Sequence, residues 1–199
     1  MKSKILKLKI IIASTRPGRA GLPVGEWFFA EAKKNPNFET ELIDLAKINL
    51  PFLDEPNHPS MQQYTKQHTK DWSALIEGSD AFVFVTPEYN FSPPAALKNA
   101  LDYLYHEWEH KPVGFVSYGG TFGGVRSVQM LKQIVTSFNM MPIYEAVNIQ
   151  MVSSRIKEGD KFESDEKLEQ LCQTMLNKLA IWAKHLREMR KELNSSPKA

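Results

Sequence analysis

The chain is poor in the features that mark several special classes of protein. It has one cysteine, Cys172, in 199 residues, so no internal disulfide can form and a reducing compartment is expected. Cys172 falls in an apolar helical pattern and reads as core packing. No apolar run approaches the roughly 18 residues of a membrane span. Ile10 to Ala13 follows Lys2, Lys4, Lys7 and Lys9 but is shorter than the about 7–15 residues of an export segment. These shortages lead us to expect a cytoplasmic protein with no membrane partner. Charge of one sign is lacking too. The formal net charge of +2 is too small to suggest a nucleic-acid surface. Histidines at metal-ligand spacing are missing, since His58 and His68 stand well apart in a loop and a helix, so no metal is expected. Neither the P-loop pattern nor G-x-G-x-x-G occurs. There is no repeat, low-complexity tract or interdomain linker. One domain over residues 1–193 is expected, with a disordered tail at 194–199.

What is present is an ordinary globular composition, 42% hydrophobic and 24% charged. Leu6 to Ala13 reads as a nearly continuous apolar strand of the kind covered on both faces. A helix from Pro23 to about Lys34 follows the loop "STRPGRAGLP". Glu39 to Asp44 is a short second strand. A long Pro-rich connection, "INLPFLDEPNHPS", then leads to a helix over about Gln62–Glu77, closed by Gly78. Its expected place is over the ligand or against a neighbouring subunit. Ala81–Thr86 is the third strand, and "PAALKNALDYLYHEW" the next helix. Pro112–Ser117 is the fourth strand, Val125–Phe138 a helix and Ile143–Val147 the fifth strand. After the polar loop "KEGDKFES", an amphipathic stripe over about Asp165–Leu193 predicts a long last helix. Strict β-α alternation predicts one parallel sheet with helices on both faces. Ligands of such sheets bind beyond the carboxyl ends of the strands.

Three unusual loops fall at that edge. The first offers Ser14 and Thr15 hydroxyls, Arg16 and Arg19, and two glycines beside a helix start, which suits an anion such as a phosphate. Arg16 is preferred for it because it stands nearer the strand end, with Arg19 solvated. The second, "TPEYNFSPP", offers Pro87 as a resting surface, the Tyr89 ring, the Asn90 amide and the peptide groups of Glu88 to Asn90. Glu88 reads as a cap or surface acid rather than a catalytic one. The third, "SYGGTFGGVRS", holds Gly119, Gly120, Gly123 and Gly124, which imply close approach to something flat or extreme turn geometry. Ser117 and Thr121 are candidate donors, and Tyr118 a border for a ring. Together the loops suggest a ligand with a phosphate at one end and a flat heteroaromatic ring at the other.

The stretches "ASTRPGRAG", "TPEYNFSPPAALKNALDYL" and "KPVGFVSYGGTFGGVRSVQMLKQ" resemble the NADPH-dependent FMN reductase family of the flavodoxin-like superfold, over about Lys9 to Pro142. That resemblance implies a flavodoxin-like α/β three-layer sandwich whose five-stranded parallel sheet has the order 2-1-3-4-5. It implies FMN as cofactor and NADPH or NADH as donor. It implies a reaction in which hydride would pass through flavin N5 to a small-molecule electron acceptor, a flavin, quinone, azo compound or similar. It implies a homodimer or homotetramer. Ser14 and Arg16 are expected at the phosphate, and Pro87, Glu88, Tyr89 and Asn90 along the isoalloxazine. Ser117, Tyr118, Gly119, Gly120, Thr121 and Gly123 are expected over its other side. The flavin carries the chemistry, so no side chain is expected as an indispensable acid or base. His106, Trp108 and His110 are expected either at an acceptor site or interface, or as an amphipathic helix end. The alternative function is a flavodoxin-type electron-transfer module without its own NAD(P)H oxidation. The sequence pI of about 8.5 runs against the acidic surface of such carriers. A signalling receiver domain shares this strand order, but it needs an acid pair where this chain has Ala13, Ser14 and Thr15.

Overall fold

A computed structural model describes residues 5–195. Five parallel strands form one sheet: β1 (Leu6–Ile12), β2 (Phe38–Asp44), β3 (Ala81–Pro87), β4 (Pro112–Tyr118) and β5 (Met141–Ile149). Their spatial order is β2-β1-β3-β4-β5, as the resemblance implied. Every residue of β3 and β4 is buried, which explains their unbroken apolar runs. Alternate residues of β3 feed opposite cores. Val83 and Val85 join Phe28 of α1 (Gly21–Lys33) and Met175 and Leu179 of α6 (Glu166–Ser195). Phe82 and Phe84 join α3 (Gln67–Glu77), α4 (Ala95–Asp102) and α5 (Val125–Thr136) through Trp72, Leu101 and Leu131. One helix pair thus covers one face and three helices the other. The crossover direction reverses between β1 and β3, which opens a crevice at their carboxyl ends.

Several boundaries differ from the sequence reading. Asp44 caps a four-residue helix, α2 (Leu45–Ile48), by accepting the Ala46 N–H at 3.0 Å. A short helical turn at Pro59–Met61 ends on left-handed Gln62, so α3 starts at Gln67 rather than Gln62. A small hairpin, β6 (Ile156–Lys157) and β7 (Lys161–Phe162), occupies the polar loop. The last helix runs to Ser195, past the expected end at residue 193. The rest of the proposed tail, 196–199, lies outside the described residues.

The helix after β3 is the largest correction. It stops at Asp102 instead of continuing through Trp108. Trp108 folds back and its indole N–H donates to the Leu101 carbonyl at 3.1 Å, serving an acceptor freed by the helix end. Its ring is fully buried between Trp72, Phe82 and Phe84. Trp108 is therefore core, not the border of an acceptor site. His106 bonds Glu109 at 2.6 Å and the Ser60 carbonyl at 2.9 Å. With His110 it leads into the start of β4, at the edge opposite the three loops.

Candidate functional site

The first loop leaves β1 at Ser14, which is fully buried and accepts from the Tyr118 hydroxyl at 3.0 Å. Tyr118 ends β4, so its phenol reaches back beneath the first loop. Its ring is 4% exposed and belongs to the α1 core, so it does not border a ligand ring as expected. Burial raises its pKa, against a partial lowering by the bond to Ser14 and by nearby Arg19 and Arg16, so it remains a donor. At Gly21, the first residue of α1, a Cβ would overlap both the Ser14 and Tyr118 oxygens. Glycine is what lets the helix start, with its free N–H groups, sit directly on the loop.

The two arginines of this loop divide differently from the sequence reading. Arg16 is exposed. Arg19 is the enclosed one: its side chain is 15% exposed and donates to Asp44 at 2.6 Å. The expectation of a solvated Arg19 fails because the capping Asp44, from the neighbouring strand, faces it. Arg19 Nε is buried and has no partner. An unpaired buried donor costs about 1–3 kcal/mol, and an acceptor would relieve it, an anion forming the stronger, charge-assisted bond.

The loop after β3 is a two-residue hairpin turn. Tyr89 and Ser92 exchange both backbone bonds, at 2.9 and 3.0 Å. Asn90 and Phe91 between them have φ of +50° and +71°. Both central residues at positive φ define the mirror-image turn that favours Asn followed by Gly. Asn90 is at home there. Phe91 is not, and holding a bulky residue left-handed costs about 1–2 kcal/mol. The buried Glu88 carboxylate accepts the Arg126 backbone N–H at 3.1 Å and forms an ion pair with its guanidinium. The Glu88 side chain is thus committed to the start of α5, leaving only its peptide group for a ligand.

The loop after β4 owes most of its glycines to its own turn. A Cβ on Gly124 would stand 2.9 Å from the Tyr118 carbonyl, and one on Gly119 3.2 Å from the Gly124 nitrogen. Gly123 has φ +58° and its carbonyl accepts from Asn148 Nδ2 at 2.5 Å. Asn148 also donates to Ser117 Oγ at 2.9 Å, so that hydroxyl faces β5 rather than the crevice. Gly120 has nothing within 4 Å of where a Cβ would stand, and Thr121 beside it is exposed. Of the two sequence readings, turn geometry accounts for three glycines and leaves Gly120 open to a ligand.

The structure therefore brings all three loops to neighbouring positions on one edge, since β1, β3 and β4 are adjacent. A cavity of about 530 Å³ opens beside them, bounded by Thr15 of the first loop, Leu50, Phe52, Ala95 and Asn99. The Pro-rich connection is tied to α4 there: Asn99 donates to the Pro51 carbonyl at 2.7 Å and accepts from Leu53 N–H at 3.0 Å. Sequence reasoning missed Asp44, Arg126 and Asn148 as supports, Arg126 alone of these carrying a signal two residues beyond the last loop glycine. Gly18 and Gly21 were expected for positive φ, which Gly18 has, whereas Gly21 is needed for its missing Cβ.

The profile of the NADPH-dependent FMN reductase family matches residues 6–153. The chain belongs to that family. It is 48% identical over 120 residues to an NAD(P)H-dependent FMN reductase of Schizosaccharomyces pombe, covering 59% of this chain and 60% of the relative. It is 34% identical over 146 residues to one of Saccharomyces cerevisiae, covering 68% and 76%. The shared part of the S. pombe relative is thus under two thirds of its length. A solved flavoenzyme, an NAD(P)H:(acceptor) oxidoreductase of Paracoccus denitrificans, superposes with a TM-score of 0.73 at 21% identity, over 91% of this chain and 98% of its own. At that identity it speaks for the flavodoxin-like fold alone.

FMN is the cofactor this FMN reductase family implies. The residues present fit it. The orphaned Arg19 Nε beside the α1 start suits a phosphate, and the open Gly120 faces no side chain that would exclude a flat ring.

Proposed function

We propose that the chain is an FMN-dependent NAD(P)H oxidoreductase that reduces a small acceptor such as a flavin, quinone or azo compound. The observation that carries this reading is the buried, unpartnered Arg19 Nε at the head of a row of three ligand-shaped loops in a family defined by FMN. In it Ser14, Arg16, Arg19 and the α1 start hold the phosphate. Peptide groups of Pro87 to Asn90 and of Ser117 to Gly120, with Thr121 and Gly123, line the ring. Bound FMN supplies the two-electron chemistry; the chain binds, orients and shields it. The Glu88 carboxylate, the acid of the ring-binding loops, is held by Arg126, so in this reading the protein contributes fixed dipoles rather than a proton-transfer group.

We read the active species as a homo-oligomer in the cytoplasm. Phe52 is 84% exposed at the rim of the cavity lined by Leu50 and Ala95, and an exposed ring beside a hollow on the same patch supports a two-fold contact, which pairs one patch with itself. Among the described residues no helix is long and apolar enough to cross a membrane. The test is menadione-dependent oxidation of NADH or NADPH by the purified, FMN-supplied protein. Steady turnover supports the enzyme; FMN binding without turnover supports the electron-transfer module instead.

A further inference from the structure

We propose that Arg126 is a positioning residue that locks the two ring-binding loops to each other, so that the ring end of the site depends on a side chain outside the loops themselves. The inference rests on the reading that these loops hold the flavin ring. Arg126 is the second residue of α5, two residues after Gly124. Its backbone N–H and guanidinium both engage the Glu88 carboxylate, which belongs to the loop after β3. Its guanidinium also lies 4.1 Å from the Phe91 ring centroid and 4.6 Å from that of Phe122. Phe91 comes from the loop after β3 and Phe122 from the loop after β4. One planar cation therefore holds three points on two loops.

Two features show that this stack is more than surface chance. Phe91 and Phe122 are 60% and 57% exposed, so neither ring is placed by the hydrophobic core. Phe91 also occupies a left-handed turn position that favours glycine, and such strain persists only where the surroundings hold it. Arg126 is the group that holds it. Lysine would not replace it, because an ammonium lacks both the planar face and the fork that meets a carboxylate. Glu88, buried and paired, is the end of the same fastening in the loop after β3. Asn148 fastens the loop after β4 from the other side, through Gly123 and Ser117. With both attachments in place the loop separation is fixed before any ligand arrives, which is the condition for tight binding of a rigid ring.

The test uses the purified chain with FMN and with lumiflavin, which keeps the ring and lacks both ribityl chain and phosphate. Binding is read by quenching of flavin fluorescence. Arg126→Met is expected to weaken lumiflavin and FMN by the same factor, about tenfold or more, because the phosphate end is untouched. Arg126→Lys recovers only part of the loss. The visible band of the bound FMN fraction shifts in Arg126→Met, since the peptide groups meeting the ring have moved; a role in folding alone would leave that band as in the wild type. Glu88→Gln with Arg126→Met is less than additive, as expected for one linked unit. Unchanged lumiflavin affinity together with an unchanged band overturns the inference. If Arg126→Met does not fold, Phe91→Gly carries the same test, because glycine suits the turn and removes one face of the stack. A wild type that binds neither probe defeats the functional reading itself, and this inference with it, whereas tight wild-type binding with indifferent variants defeats the inference alone.

Discussion

Arg19 shows how a single residue changes weight once its surroundings are visible. In the sequence it is the second arginine of a polar loop, farther from the strand end than Arg16. In the fold Asp44 orients it and its Nε is left buried and unpaired. Replacing it by methionine is expected to weaken FMN about tenfold to a hundredfold, the loss of a charge-assisted hydrogen bond worth roughly 1.5–3 kcal/mol, while riboflavin, without the phosphate, is scarcely affected. Equal loss for both flavins would remove Arg19 from the phosphate. Gly21→Ala is a second residue-scale test. Its methyl group overlaps Ser14 and Tyr118, so FMN retention and thermal stability should both fall. The three loops were legible as a group because hydroxyls, arginines and glycines fall together after three strands at one sheet edge, although three of the glycines serve the turn itself. The division of labour among them was not. It depends on Asp44 and Asn148, which reach the site only through the pairing of β2 with β1 and of β5 with β4.

At the scale of elements, the long last helix is fixed to the sheet at the edge remote from the site. Asp80, at the start of β3, accepts from Arg187 Nε at 2.8 Å, Arg190 at 3.0 Å and the Lys7 N–H at 2.9 Å. Burial alone would raise the Asp80 pKa, but the Arg187 hydrogen bond, the Lys7 N–H and the charges of both arginines hold it below its ordinary value. A depressed carboxyl pKa contributes stability that is present above the unfolded value and lost as pH falls through the folded one. Stability should therefore decline as pH drops below about 4, and Asp80→Asn should flatten that decline in urea unfolding measured across pH. Asp80→Ala at neutral pH is expected to cost about 3–5 kcal/mol, since it removes the carboxylate that two partly buried arginines share. A cost under 1 kcal/mol would mean that α6 is held by its apolar stripe alone. That stripe was readable by its period. The early stop of α4 was not, because "LDYLYHEW" continues a helical pattern in apolar residues and only the burial of Trp108 in the α3–α5 core shows why the chain turns there.

On the whole-molecule scale, the alternation of strands and helices predicts the layered sheet and its ligand edge, while the strand order itself came from the family resemblance. Binding of FMN to the native state alone should raise stability by about 2.7 kcal/mol at a free concentration a hundred times Kd, readable as a concentration-dependent rise in Tm. Riboflavin at the same concentration should give a smaller rise. In the proposed function this edge holds FMN where a nicotinamide donor can reach it. The most direct test is to mix the anaerobic, FMN-loaded protein with excess NADH and, separately, excess NADPH, and follow the visible absorption of the flavin. Loss of the oxidised absorption with at least one donor, and its return on adding menadione, is the predicted result; FMN that stays oxidised under both donors would contradict it.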